Sequence, residues 1–125
     1  VPRDQTHSYG IVTIDPMNGD TARIHSIVEK PKPKDAPSNL AVIGRYVLTP
    51  RIFEHLSQVT PGAGGEIQLT DGISQLLNHE RALAVRLPGQ RFDCGSKLGY
   101  LKAAVEFGTR HPEFGAEFTE YLKNR

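Results

Sequence analysis

The stretch "SIVEKPKPKDAPSNLAVIGRYVL", Ser26–Leu48, decides the fold, because one strand-like run ends in it and another begins. The run 24–28 predicts a strand, and it stops at the triplet Glu-Lys-Pro of residues 29–31, where proline removes a ladder donor. Residues 31–39 contain three prolines and predict an irregular loop. The run 40–48 is apolar over most of its length and predicts a third strand, buried on both faces.

The flanking sequence adds a hairpin and four helices. Residues 9–14 predict a strand that pairs with 24–28 through a turn-forming segment, so that 9–29 form a β-hairpin. Ser96 is expected to cap a helix whose Leu98, Leu101 and Val105 face the core. The remaining predictions are helices capped by Thr49 and Thr70, a strand over 82–87, and an amphipathic helix around Phe114, Phe118 and Tyr121. Four strands and four helices in mixed order predict an α/β class.

The composition is that of a folded chain, either one domain or a part of one. Of 125 residues, 38% are hydrophobic and 23% charged, and 15 Lys and Arg against 14 Asp and Glu leave a net charge of +1. That balance argues against nucleic acid as a partner. No apolar run is long enough for a membrane helix, and the single cysteine, Cys94, excludes an internal disulfide and a Cys-rich zinc site. We therefore expect a cytoplasmic protein.

Glu29 and Lys30 form the first candidate site. Neighbouring side chains in a strand point to opposite faces, so the two diverge unless the strand bends there. A Glu at a strand mouth can accept hydrogen bonds from sugar hydroxyls, and a Lys can meet a phosphate as a point charge. The residues alone leave a second interpretation open, a solvated surface loop.

Asp93, in "FDCGS", is the second candidate. It lies between a predicted strand end and a helix start, the region where open α/β folds collect ligands. Its carboxylate can be one ligand of Mg²⁺, or it can bond its own backbone in a turn. Gly10 and Gly44 lie inside apolar runs, where glycine marks either a bulge or the close approach of a ligand.

Four segments together resemble a known family. They are "SYGIV" at 8–12, "VEKPKPKDAPSNLAVIGRYVL" at 28–48, "GGEIQLTDGI" at 64–73 and "RFDCGSKLGYLKAAVEFG" at 91–108. In the same order and approximate spacing, they are similar to segments of the bacterial UTP–glucose-1-phosphate uridylyltransferases, a branch of the sugar-phosphate nucleotidyltransferases. The resemblance runs from about Tyr9 to the C-terminal helix, nearly the whole chain.

The resemblance implies the C-terminal part of a Rossmann-like nucleotidyltransferase sheet with flanking helices. The N-terminal nucleotide-binding half, with its GxGTRxxP loop and a second metal-binding Asp, has no counterpart in this sequence. The chain also opens at Val1 and enters a strand almost at once, so we interpret it as a piece of a longer polypeptide. Residues 1–111 are then the sugar-phosphate-binding part, and 112–125 a C-terminal helix available for an oligomer contact.

The resemblance also implies residue roles. Glu29 resembles the acid that hydrogen-bonds glucose hydroxyls. Lys30 resembles the basic residue that contacts the sugar phosphate, and it is the catalytic residue that the resemblance implies. Gly10 resembles the glycine whose backbone approaches the hexose. Val42 resembles the residue whose backbone contacts the sugar. Asp93 resembles one of two aspartates that hold Mg²⁺, the implied cofactor.

The reaction of the resembled family is attack of a glucose 1-phosphate oxygen on the α-phosphorus of UTP, which releases pyrophosphate and forms UDP-glucose. The resemblance implies this enzyme activity, these partners and a homo-oligomer, with neither nucleic acid nor membrane involved. The isolated chain is expected to be inactive because it has no base-binding loop. Two other functions stay open on sequence alone: a non-catalytic sugar-phosphate-binding module and an oligomerisation module built on the C-terminal helix.

Overall fold

A computed structural model describes residues 1–62 and 65–125 of the chain. Val1–Arg86 form one compact unit and Leu87–Arg125 a second. In its described residues, the first unit is a three-stranded antiparallel sheet in the order β1-β2-β3, with two α-helices and an N-terminal 3-10 helix, Arg3–Ser8. Strands and helices are mixed along the chain, so the α/β class predicted from the sequence is confirmed.

The predicted hairpin is confirmed. Strand β1, Gly10–Ile14, pairs antiparallel with β2, Thr21–Glu29, and Gly10 lies opposite Glu29. The turn contains Gly19 with a φ of +61°, a value that favours glycine. The hairpin thus places the glycine of "SYGIV" beside the acid of "VEKP", two residues that are 19 positions apart in the sequence.

The predicted third strand over 40–48 is wrong. Only Ala41 makes a bridge, to Ile11 on the free edge of β1, and the chain then leaves the sheet. Gly44 has a φ of +75° with open space around it, so it bends the segment and ends the pairing. Val42 and Leu48 pack against the core, whereas Val47 is fully exposed. An apolar run therefore did not guarantee burial on both faces.

Two helices cover one face of the hairpin. Helix α1, Ile52–Leu56, and helix α2, Leu69–Leu76, contribute to a core made of Val12, Ile27, Ile52, Ile73 and Leu76. The predicted cap at Thr49 is not formed, because α1 begins after Arg51 and the Thr49 hydroxyl donates to Glu80 Oε2 instead. Burial of about five such side chains is the main local driving force for this unit.

Strand β3, Leu83–Val85, is shorter than the predicted 82–87 and pairs with the start of β2, Thr21 opposite Val85. Leu83 and Val85 are both more than half exposed, so β3 is an edge strand with open apolar side chains. None of the helices in residues 1–62 and 65–125 is long and apolar enough to span a bilayer.

The second unit contains helix α3, Lys97–Thr109, and helix α4, Gly115–Lys123. The predicted cap is confirmed, since Ser96 Oγ accepts from Gly99 N at 3.0 Å. The predicted core stripe is wrong: Leu98, Leu101 and Val105 are exposed, and Ala103 is buried instead. Apolar residues surround α3, so periodicity could not identify its buried side.

Candidate functional site

The end of β2 bends, and the bend brings the side chains of Glu29 and Lys30 together. Among the described residues, Lys30 is the one non-glycine residue with a positive φ, +44°. Its N–H donates to Tyr9 O at 3.0 Å, and its Nζ lies 3.5 Å from Glu29 Oε1. A left-handed lysine costs roughly 1–3 kcal/mol, and such strain concentrates at functional sites.

The two side chains differ in exposure. The Glu29 side chain is 20% exposed and the Lys30 side chain 54%. Glu29 therefore lies at the sheltered base of the bend, and the Lys30 ammonium lies at its exposed mouth, within reach of an incoming anion. This division of depth fits a carboxylate that accepts from hydroxyls and an ammonium that meets a phosphate.

Gly10 lies against three side chains from three separate parts of the unit. A Cβ at Gly10 would be 2.9 Å from Thr70 Cγ2, 2.9 Å from Val42 Cγ2 and 3.3 Å from Glu29 Oε2. Real Cβ atoms do not come within 3.0 Å of another carbon, so only glycine fits here without a shift. The structure thus brings Gly10, Glu29 and Val42, which are separated in the sequence, into one cluster.

Thr70 completes this cluster. The sequence suggested that it caps α2, but the residue before the helix is Gln68, whose side chain makes no cap hydrogen bond, and Thr70 lies in the first turn. Its hydroxyl donates to Glu29 Oε2 at 2.9 Å, and the residue is only 6% exposed. The Glu29 carboxylate therefore meets Thr70 through one oxygen and faces Lys30 with the other.

The backbone of Val42 is hydrogen-bonded to β1. Its N–H donates to Gly10 O at 2.9 Å, so this donor is already used within the protein. A backbone contact from Val42 to a sugar hydroxyl would therefore have to come from the carbonyl, which accepts. The same hydrogen bond ties the segment after the proline loop to β1.

Tyr46 is electrostatically linked to the same carboxylate. Burial raises the pKa of the Tyr46 phenol above its ordinary 10.0, and the negative charge of Glu29 raises it further. The phenol is therefore protonated at neutral pH and can donate a hydrogen bond. Tyr46 cannot be identified as a site residue from the sequence, because an isolated tyrosine in an apolar run carries no local signal.

Asp93 belongs to the second unit. Its Oδ1 accepts from Gly95 N at 3.0 Å, as the turn interpretation expected, and its Oδ2 lies 3.8 Å from Arg91 Nη1. The side chain is 49% exposed. No group of three Asp, Glu, His or Cys residues converges in the part of the chain that the structure describes. A single carboxylate fits Mg²⁺ when phosphate oxygens and water supply the other ligands.

The structure therefore unites four of the five predicted site residues, Gly10, Glu29, Lys30 and Val42, within the first unit. Thr70 was missed as a member of this cluster, and Tyr46 as a residue on which the charge of Glu29 acts. A signal for Thr70 was present, since "EIQLTD" stood out as a segment, but a threonine before a helix is more often a cap than a partner of a distant carboxylate.

Comparison with known proteins agrees with the resemblance seen in the sequence. A family model described as nucleotidyl transferase matches residues 1–109. A UTP–glucose-1-phosphate uridylyltransferase of Haemophilus influenzae is 47% identical over 127 residues, which cover 99% of this chain and 43% of that protein. A relative of the same name from Pseudomonas aeruginosa is 48% identical over 103 residues, or 82% of this chain and 37% of that protein.

Solved structures give a consistent result. A UDP-glucose pyrophosphorylase complexed with UDP-glucose is similar with a TM-score of 0.79 and 39% identity over 100% of this chain and 42% of that one. A UTP-bound enzyme of this type from Acinetobacter baumannii is similar with a TM-score of 0.81 and 44% identity over 98% of this chain and 42% of that one. The chain thus spans about two fifths of the length of its relatives.

Proposed function

The chain belongs to the nucleotidyl transferase family, and on that premise we propose that it forms the sugar-phosphate side of an enzyme that makes UDP-glucose. The substrates of this enzyme are UTP and glucose 1-phosphate. The observation that carries the proposal is the cluster of Gly10, Glu29, Lys30 and Val42, in which a largely buried carboxylate lies beside an exposed ammonium. The longer polypeptide that the proposal implies is called the full-length enzyme below.

The sugar is bound at the base of the cluster. Glu29 accepts hydrogen bonds from hexose hydroxyls, because a carboxylate is an acceptor and this one is mostly shielded from water. Gly10 presents no side chain, so the ring can approach the backbone of β1 closely. The Val42 carbonyl accepts from a further hydroxyl. These contacts orient glucose 1-phosphate before the reaction, and orientation is a large part of the catalysis of such a transfer.

The phosphate of the sugar meets Lys30 at the mouth. A phosphate oxygen of glucose 1-phosphate attacks the α-phosphorus of UTP, the new P–O bond forms UDP-glucose, and pyrophosphate leaves with the electron pair of the broken bond. Two anions must approach each other, and Lys30 neutralises part of that repulsion. No protein nucleophile is needed in this direct displacement.

Asp93 would hold the divalent metal, for which we propose Mg²⁺. A bound divalent cation supplies positive charge to the reacting phosphates. The Asp93 carboxylate is half exposed, which leaves it accessible to a hydrated ion, although Arg91 lies beside it.

A homo-oligomer and a cytoplasmic location belong to the same proposal. The exposed side chains of Phe114, Tyr121 and Leu122 around α4 support a subunit contact.

A pair of lysine variants tests the function. In the full-length enzyme, Lys30→Ala is expected to lower kcat/KM for glucose 1-phosphate by about tenfold to a hundredfold, the usual effect of removing a charged hydrogen-bond donor. Lys32→Ala, two residues away and exposed, is the matched control and should stay within about twofold of the wild type. UDP-glucose is quantified by chromatography. Equal rates for the two variants would remove Lys30 from the mechanism.

A further inference from the structure

The strongest unassigned contact in the first unit is the hydrogen bond between Thr70 and Glu29. Threonine hydroxyls inside helices usually turn back to a carbonyl of the preceding turn. Among the described residues, the other two threonines in α-helices do so: Thr109 donates to Glu106 O and Thr119 to Gly115 O. The Thr70 hydroxyl instead leaves α2 and donates to Glu29 Oε2 across 41 residues of sequence.

This contact decides how the carboxylate of Glu29 is turned. The terminal torsion of a glutamate is broad and roughly two-fold, so covalent geometry alone does not fix the plane of the carboxylate. The bond from Thr70 holds Oε2, which leaves Oε1 on the side of Lys30, 3.5 Å from its ammonium. Because Thr70 is 6% exposed, the bond lies where water competes weakly for either partner.

The methyl group of Thr70 fixes the hydroxyl in turn. The Cγ2 atom lies 2.9 Å from the place where a Cβ of Gly10 would be, so the methyl fills the space that this glycine leaves open. A β-branched side chain has few χ1 rotamers, so the position of the methyl determines the direction of the hydroxyl. Gly10, Thr70 and Glu29 thus form a chain of contacts from β1 through α2 to the end of β2.

We propose that Thr70 is a positioning residue that sets the orientation of the Glu29 carboxylate and, through it, the selectivity for the hexose. The inference rests on the proposed function, because it assigns Glu29 to the sugar. Thr70 acts on the sugar through Glu29, and the loss of its hydroxyl therefore weakens sugar binding and sugar discrimination while it leaves UTP binding unchanged.

Two substitutions separate the hydroxyl from the methyl. In the full-length enzyme, Thr70→Val keeps the shape and removes the donor, and is expected to raise KM for glucose 1-phosphate about tenfold with KM for UTP unaltered. The ratio of kcat/KM for glucose 1-phosphate to kcat/KM for galactose 1-phosphate should fall by a similar factor. Thr70→Ser keeps the donor, so its KM for glucose 1-phosphate should lie within about threefold of the wild-type value.

A matched control and a double-mutant cycle exclude a general structural effect. Thr6 is fully buried and its hydroxyl donates to Arg3 O, so Thr6→Val removes a buried hydroxyl elsewhere and should leave both KM values unchanged. In a Glu29→Ala background, Thr70→Val should have no further effect on the KM for glucose 1-phosphate, because the carboxylate that Thr70 orients is absent. Melting temperatures are measured in parallel.

The outcomes distinguish the inference from the function on which it rests. A Thr70→Val enzyme with wild-type KM and selectivity overturns the inference, and so does an undiminished effect of Thr70→Val in the Glu29→Ala background. A loss of the same size in Thr6→Val also overturns it. A wild-type full-length enzyme that makes no UDP-glucose overturns the proposed function, and the inference falls with it.

Discussion

Glu29 and Lys30 illustrate at the scale of single residues what one strained backbone angle achieves. In a regular strand the two side chains would point to opposite faces. The positive φ of Lys30 turns the chain immediately after β2, so both side chains reach the same mouth with 3.5 Å between their charged atoms. The adjacent Pro31 is buried, which fixes the path of the chain beyond the bend.

The Tyr46 phenol gives a pH-dependent test of this cluster. Its pKa is raised by burial first and by the Glu29 charge second, so the protonated form is favoured in the folded state. The stabilisation that follows is present below pH 10 and is lost as the pH rises through the raised value. In Glu29→Gln, the pKa of Tyr46 should fall but remain above its ordinary value, because the larger cause, burial, is kept.

NMR of tyrosine labelled with ¹³C at Cζ measures this titration in the full-length enzyme, and Tyr46→Phe identifies the signal. An unchanged Tyr46 midpoint in Glu29→Gln would mean that the carboxylate does not act on the phenol. A midpoint at the ordinary value of 10.0 would mean that burial contributes nothing.

Asp93→Asn distinguishes a turn residue from a metal ligand. Asparagine keeps an oxygen that can accept from Gly95 N, so the turn and the cap of α3 should persist and the melting temperature should change little. The negative charge is lost, so the Mg²⁺ concentration for half-maximal activity should rise about tenfold, in line with one ligand of a weakly held ion. Magnesium titrations of the wild type and the variant compare the two roles. If the two titration curves superimpose, Asp93 is a turn residue and not a metal ligand.

At the scale of elements, the close contact of β1, α2 and the segment around Val42 depends on Gly10. A methyl group there would lie 2.9 Å from two β-branched side chains, neither of which is the end of a flexible chain. Gly10→Ala is therefore expected to destabilise the protein by about 1–3 kcal/mol and to raise KM for glucose 1-phosphate.

Gly19→Ala is the matched control for that experiment. It also replaces a glycine, with a φ of +61°, but nothing lies within 4 Å of the added Cβ. Its cost of about 1 kcal/mol is confined to the hairpin turn, and KM should not change. Thermal melts and steady-state kinetics on both variants decide the question, and a normal KM in Gly10→Ala would show that the close packing does not serve the sugar.

Elements with local signals could be predicted from the sequence. The hairpin follows from two β-rich runs around a turn, and the Ser96 cap from its place before a helix. Burial could not be predicted in the same way: 40–48 pairs only at Ala41, and Leu98, Leu101 and Val105 are exposed, because both depend on which surface packs against them. Thr70 was missed for a related reason, since its partner is 41 residues away.

At the scale of the whole molecule, the fold and the cluster support different parts of the account. The family match covers residues 1–109 and establishes the family. The cluster at the end of β2 supports a sugar-phosphate site within the first unit. The sequence itself contains no GxGTRxxP loop for the nucleotide. We therefore propose that this chain supplies one side of a two-substrate reaction.

The most direct test of that assignment is the formation of UDP-glucose from UTP and glucose 1-phosphate, measured side by side for the full-length enzyme and for the 125-residue chain. With Mg²⁺ present, the full-length enzyme is expected to release UDP-glucose and pyrophosphate in equal amounts, and the 125-residue chain to release neither. A full-length enzyme without this activity, or UDP-glucose made by the 125-residue chain alone, would contradict the account.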